Sequence, residues 1–151
     1  MRKLKFIDLF AGLGSFHLAL HGLGHTCVFA SEINDDLRML YKTNYDVKCE
    51  GDINAVDVRS IPKHDIICAG FPCQPFSKAG KQNGLDDPNN GNFFNKIMEI
   101  ADYHKPEYIF LENVANLNGH DEGNTWTYYA VMVENDIQLA KIYLLIYNQA
   151  A

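Results

Sequence analysis

Short apolar runs alternate along the chain with stretches whose apolar residues recur at helical spacing. Lys5-Phe6-Ile7-Asp8-Leu9-Phe10 reads as a first strand, and Ala11-Gly12-Leu13-Gly14 as a tight turn into a helix carrying Phe16, Leu20 and Leu23 on one face. Gly24 ends that helix, Thr26-Cys27-Val28-Phe29-Ala30 reads as a second strand, and Asn34 caps a helix with Leu37, Leu40 and Tyr41 on one face. A short piece near Val47, a strand from Asp65 to Ala69, a helix using Phe93, Ile97 and Ile100, and a strand Tyr108-Ile109-Phe110-Leu111 continue the alternation. A last helix is predicted over Thr125 to Glu134, and Ile137 to Tyr147 reads as a further strand, apolar enough to be buried on both faces. Strands alternating with helices predict an α/β domain built on a mostly parallel sheet.

With 151 residues, 47% of them hydrophobic, the chain can bury one sizeable core and has no room for two ordinary domains. No apolar run approaches a membrane span, and Met1-Arg2-Lys3-Leu4-Lys5 leads into a strand pattern without a signal-peptide core, so a cytoplasmic location is expected. The four cysteines include no C-x-x-C pair, so reduced thiols and no structural metal are expected. A formal charge of -6 argues against a surface that binds nucleic acid everywhere; any such partner is met locally, with Lys78 and Lys81 as candidates.

The candidate chemistry collects at strand ends. Cys73 lies between Pro72 and Pro75, which restrict the backbone and bias Phe71 and Gln74 towards extended geometry, so the thiol sits on a defined loop. Such a thiol suits a nucleophile once its proton is removed. Cys27 and Cys68, inside predicted strands, read instead as small buried hydrophobes, and Cys49 is unassigned. The segment from Ser77 to Asn92, rich in Gly, Asn, Asp and Lys, reads as a long loop, either a lid or a solvated connection.

In open α/β sheets ligands bind beyond the carboxyl ends of the strands. Phe10 to Gly14, Glu32, Cys73 and Glu112 all fall at such ends and are expected to converge. The glycine turn lets backbone N–H groups approach a ligand, and Glu32, 20 positions after Gly12, is spaced to accept ribose hydroxyls, which suggests a nucleoside-bearing cofactor. Position 17 is His where the dinucleotide fingerprint has its third glycine, which disfavours a pyrophosphate-bound NAD or FAD. Two alternatives stay open: Glu32 as an acid in the first turn of its helix, and Asp52 as either an amine acceptor or a turn former. Glu112 follows an apolar strand, so desolvation there raises its proton affinity and suits it to donate a proton; the other reading is a capping or loop acid.

Taken in order, Phe10-Ala11-Gly12-Leu13-Gly14, Glu32, Gly51-Asp52-Ile53, Gly70-Phe71-Pro72-Cys73-Gln74-Pro75-Phe76-Ser77 and Glu112-Asn113-Val114 resemble the DNA (cytosine-5)-methyltransferases, especially the bacterial restriction-modification enzymes. The resemblance runs from about Phe6 to Trp126 and includes Gly80-Lys81-Gln82 and Gly119 to Thr125. It implies a Rossmann-like S-adenosylmethionine-dependent methyltransferase fold with helices on both faces of the sheet. It also implies S-adenosylmethionine as cofactor, with Phe10, Ala11, Gly12, Leu13 and Gly14 around its amino-acid part and Glu32 on the ribose. Ile33, Asp52, Ile53 and Pro72 would line the rest of that pocket. Cys73 would add to C6 of a cytosine turned out of double-stranded DNA, Glu112 would hold N3, and Gln74, Ser77 and Lys81 would lie near the DNA.

The chain departs from the pattern in two places. Ser15 stands where the family usually has another glycine, and its hydroxyl is expected to cap the helix. The chain also stops soon after Tyr147, before a Q-x-R-x-R element and before the region that reads DNA sequence, so a fold truncated at its C-terminus is expected: residues 1–151 as a partial catalytic domain without a target-recognition domain. Three readings stay open at this point: a methyltransferase whose recognition domain comes from a second polypeptide, a non-catalytic cofactor- or partner-binding fragment, and an RNA-directed relative.

Overall fold

Parallel neighbours need a crossover that carries the chain back to the starting edge of the sheet, and among the described residues helices stand between the first and second, second and third, and fourth and fifth strands. The computed structural model describes residues 2–71, 92–114 and 141–147, with backbone alone for 92, 113, 114 and 141–147. Its elements are β1 (Lys5–Leu9), α1 (Ser15–Gly22), β2 (Thr26–Ser31), α2 (Asp35–Tyr45), β3 (Cys49–Glu50), two 3-10 turns (Ile53–Ala55 and Val58–Ser60), β4 (Ile66–Gly70), α3 (Asn92–His104), β5 (Tyr108–Val114) and β6 (Lys141–Tyr147). The six strands form one sheet in the order β3-β2-β1-β4-β5-β6, with every neighbouring pair parallel.

The register explains why the strands alternate so little between apolar and polar residues. Ile7 lies opposite Ile67 and Ile67 opposite Ile109; Leu9, Ala69 and Leu111 form the next row. These rows bury against Phe94, Ile97, Met98 and Ala101 of α3. The intervening residues Phe6, Ile66 and Cys68 face the other way, towards Phe16 and Leu20 of α1, while Ala30 and Cys49 pack with Tyr41 of α2. Both faces are therefore covered by helices, which is what a parallel sheet requires. A register shift between Phe6 and Ile7 breaks the alternation of β2, so that consecutive Val28 and Phe29 both reach the α3 side.

Several expectations are met and others corrected. The Asn34 side chain accepts a hydrogen bond from Leu37 N at 3.1 Å, as a helix cap should, and Gly24 takes φ 87 just past α1. Ser15 does not cap α1: the cap position is Gly14, in the left-handed region, and Ser15 opens the helix itself. Leu23 falls past the helix end and is 64% exposed, so it does not extend the Phe16–Leu20 face. β5 does not stop near Glu112 but runs on to Val114, because β6 pairs with it past the apolar run, Glu112 opposite Leu145. β6 starts at Lys141; residues 137–140 and the helix expected from Thr125 to Glu134 lie outside the described residues. Cys68 is fully buried, Cys27 half-buried and Cys49 buried, and burial lifts the Cys27 thiol to about 11 and the Cys49 thiol to about 12, consistent with inert packing groups. No helix among the described residues is long and apolar enough to cross a membrane.

One polar group interrupts this apolar interior. Asp8, in the middle of β1, is 1% exposed; its Oδ2 accepts from the Tyr41 hydroxyl at 3.1 Å, and its Oδ1 has no partner among the described residues. The phenol oxygen in turn lies 2.7 Å from His17 Nδ1, which fixes the Nδ1–H tautomer if Tyr41 donates to Asp8. Burial pushes the Asp8 carboxyl up to about 7 against the lowering effect of Tyr41, and burial drives His17 down to about 4 with the nearby His21 adding to the shift. An acid whose folded value lies above its unfolded one holds its proton in the native state after the unfolded chain has lost it, so this contribution is full below about pH 4 and is lost as pH rises towards 7. Replacing Asp8 with Asn removes that loss. Chemical denaturation of Asp8→Asn beside the parent is expected to show its relative stability rising by on the order of 4 kcal/mol between pH 4 and pH 7; a pH-independent difference would contradict an uncharged Asp8.

Candidate functional site

The strand order reverses between β1 and β4: the chain moves outward through β2 to β3 on one side and through β5 to β6 on the other. At such a switch point the connections leave towards opposite faces and a crevice opens at the carboxyl ends of the two central strands. The segment that follows β1 and the last residue of β4 are therefore the first places to look for chemistry.

The turn after β1 is an unusual piece of backbone. Phe10, Gly12 and Gly14 all have positive φ (55, 52 and 81). Glycine takes such angles without strain, whereas Phe10 does so at a cost of roughly 1–2 kcal/mol and is steadied by the edge of its ring meeting Phe93 at 5.2 Å. Gly14 has a second reason to be glycine, because a Cβ there would lie 2.4 Å from the Tyr45 ring. The turn closes through Gly14 N to Ala11 O at 2.8 Å and is tied to β2 through Ala11 N to Ser31 O at 2.9 Å.

Glu32 fastens the same turn from the next strand. Its Oε2 accepts from Gly12 N and its Oε1 from Asn34 N, each at 2.9 Å. The carboxylate therefore bridges the glycine turn to the start of α2, which goes beyond an acid sitting in a first helical turn. Each carboxylate oxygen keeps capacity for a further donor such as a hydroxyl. Asp52 caps a 3-10 turn, accepting from Asn54 N through Oδ1 at 2.9 Å, so its turn-forming role is real.

Two concavities meet at Phe10. A cavity of ≈ 570 Å³ is lined by Phe10 to Leu13, by Ser15, Phe16 and Ala19 of α1, and by Gly70 and Glu112. A narrower slot beside it is lined by Phe10, Ser31, Glu32, Ile33, Gly51, Asp52, Ile53 and Phe93. Glu112 stands on the row of β5 that faces α1, next to Gly70 of β4 in register. Desolvation raises its carboxyl above the ordinary range. Gly70 leaves room for that carboxylate, since a Cβ on it would sit 3.1 Å from Glu112 Oε2. Phe71 is buried with Phe94 at 6.2 Å, which anchors the chain two residues before Cys73.

The structure thus brings Phe10, Ala11, Gly12 and Leu13 together with Glu112, and brings Glu32, Ile33, Asp52 and Ile53 to the adjoining slot. Gly14 is buried beneath Tyr45 and lines neither. Pro72, Cys73, Gln74, Ser77 and Lys81 lie outside the described residues. Phe93 and Ser31 are lining residues that sequence reasoning missed. Phe93 reads as a helix-core position, and only the fold shows its ring beside Phe10.

This arrangement is that of an open α/β domain with a ligand crevice at its switch point. The family model for C-5 cytosine-specific DNA methylase matches residues 4–137, and the chain belongs to that family. It is 50% identical over 122 residues to "Type II methyltransferase M.HhaI" of Haemophilus parahaemolyticus, a match covering 81% of this chain and 37% of that relative. It is 48% identical over 121 residues to "Type II methyltransferase M.MspI" of Moraxella sp, covering 80% of this chain and 29% of that relative. The chain therefore spans well under half the length of these relatives. Among solved structures, S. pombe Dnmt2 methyltransferase superposes with a TM-score of 0.67 at 24% identity, over 88% of this chain and 42% of that one, and shares the fold.

Two substitutions test the turn. Gly14→Ala combines a left-handed backbone with overlap on the Tyr45 ring, and a loss of about 2–4 kcal/mol is expected in denaturant unfolding. Glu32→Ala frees two backbone N–H groups, with an expected loss of about 1–3 kcal/mol. Wild-type stability in either variant would contradict the packing described.

Proposed function

We propose that residues 1–151 form the N-terminal part of a DNA (cytosine-5)-methyltransferase catalytic domain of the restriction-modification type, acting in the cytoplasm with S-adenosylmethionine on double-stranded DNA. One observation carries the reading: the glycine turn and Glu112 line a single cavity at the switch point, immediately beside the strand that leads into Cys73. Family membership and the Type II methyltransferase relatives support the substrate class.

The residues fit the cofactor by the chemistry of their donors. The N–H groups of Ala11, Gly12 and Gly14 are held by Ser31, Glu32 and Ala11, which leaves the Leu13 end of the turn, on the cavity wall, to meet an amino-acid carboxylate. Glu32 suits ribose hydroxyls, and the slot between Phe10, Ile33, Ile53 and Phe93, with Asp52 at its rim, suits a flat base. Ile33, 68% exposed, lines the mouth of that slot, and Pro72 is assigned to the same pocket by the family resemblance. When bound, S-adenosylmethionine supplies an electrophilic methyl group.

The chain's own residues then perform the rest. Cytosine C5 is a poor nucleophile. The Cys73 thiolate forms a bond to C6, and the C5=C6 electron pair becomes available at C5. Glu112, whose proton affinity desolvation raises, hydrogen-bonds N3 so that negative charge does not accumulate in the ring. After methylation a base takes the C5 proton, and the returning electron pair expels the Cys73 sulfur. Reaching C6 requires the cytosine to leave the stack, at roughly a few kcal/mol, while Gln74, Ser77 and Lys81 contact the DNA around it. Sequence choice belongs to a recognition domain outside these residues, in the same polypeptide or a second one.

Duplex DNA carrying 5-fluorocytosine blocks the final proton loss and traps the adduct. With cofactor and a recognition domain present, a covalent protein–DNA complex is expected, absent for Cys73→Ser; methyl transfer by Glu112→Gln is expected to fall by about 100-fold or more. No complex under conditions where DNA and cofactor both bind, or methyl transfer to transfer RNA and not to duplex DNA, would contradict the reading.

A further inference from the structure

The glycine turn has a second support that neither its glycines nor Glu32 accounts for. Tyr45, the last residue of α2, reaches back over 31 positions, and its hydroxyl lies 3.0 Å from Leu13 O and 3.1 Å from Gly14 O. Those carbonyls sit at the start of α1, where Gly14 O also receives the first helical bond, from Leu18 N at 2.9 Å. The ring above the hydroxyl fills the space that Gly14 leaves, and its far face stacks on His17 with centroids 4.0 Å apart and planes at 15°.

His17 is itself fixed. It is 3% exposed, it is held by the Tyr41 hydroxyl that Asp8 accepts, and its ring meets Phe6 edge-on at 5.5 Å. The position of Tyr45 is thus set by a continuous set of contacts running from the middle of β1 to the cofactor turn. α2 stops at this point because Asp46 adopts a left-handed cap, its N–H bonded to Lys42 O at 2.9 Å, so the Tyr45 side chain is presented at a fixed helix end.

We propose that Tyr45 is a positioning residue for cofactor binding: its hydroxyl, held over the carbonyls of Leu13 and Gly14, fixes the backbone of the turn that meets the amino-acid part of S-adenosylmethionine. This rests on the cofactor assignment above. Tyr45 touches neither cavity, and it acts only through the backbone it clamps.

Tyr45→Phe separates the hydroxyl from the ring, because it keeps the stack on His17 and the filling beneath Gly14. Two measurements on the 151-residue chain decide the matter. In the free protein, hydrogen exchange at Gly14 and Leu18 is expected to quicken by about 10-fold in Tyr45→Phe, with the amides of β1 and β4 unchanged. In calorimetry, Kd for S-adenosylhomocysteine is expected to rise by about 5- to 20-fold, while Kd for 5′-methylthioadenosine, which lacks the amino-acid part, changes by less than about 2-fold. Equal weakening of both ligands, or unchanged exchange at the turn, would overturn the proposal. A parent chain that binds neither ligand would overturn the cofactor assignment and with it this use of the clamp, whereas the exchange result still reports whether the hydroxyl holds the turn.

Discussion

The reversal of strand order between β1 and β4 is the constraint from which the rest follows. Two neighbouring parallel strands whose connections depart to opposite faces leave an opening at their carboxyl ends that neither α1 nor α3 covers. Into that opening the fold places backbone with positive φ at Phe10 and Gly12, a glycine at the end of β4 and a desolvated carboxyl on β5. Each is a group that a regular strand or helix excludes or penalises. Their collection at one point is what distinguishes this crevice from the remaining surface, including the similarly large groove between Val28, Val56 and Pro62, which lacks such groups.

The apolar core and the site depend on each other through register. The rows Ile7–Ile67–Ile109 and Leu9–Ala69–Leu111 lock three strands against α3, and the next positions along, Gly70 and Glu112, are thereby brought side by side. A slip of one residue would turn Glu112 away from the crevice and into the apolar α3 face, burying its carboxyl without a partner. On the other face, Asp8, Tyr41 and His17 form a polar seam that links β1, α2 and α1, elements that apolar contact alone would leave free to slide. Tyr45 carries that seam to the turn.

Much of this was legible in the sequence, for identifiable reasons. The alternation of apolar runs with helical spacing located the three α-helices and every described strand but β3, for which it gave only a short piece near Val47, because a two-faced parallel sheet tolerates little polar patterning; the two 3-10 turns went unread. Gly12 and Gly14 marked a turn, and Asn34 marked a helix start, because few other residues suit those backbones. Helix ends were harder to read: Leu23 matched the spacing of α1 but fell beyond it, and Ser15 looked like a cap although Gly14 occupies that position. The extent of β5 past Leu111 could not be read locally, since β6, more than 20 residues later, supplies its partners. Long-range contacts such as Phe93 against Phe10, or Tyr45 against Leu13, carry no local signal at all.

The central claim is that the switch-point crevice takes the nucleoside cofactor. Adding S-adenosylhomocysteine to the isotope-labelled chain and following backbone amide resonances tests it most directly. Shifts concentrated at Phe10 to Gly14, Ile33, Asp52 and Ile53 are the predicted result. Shifts confined to the groove near Val28 and Val56, or spread along the amino ends of the strands, would contradict it.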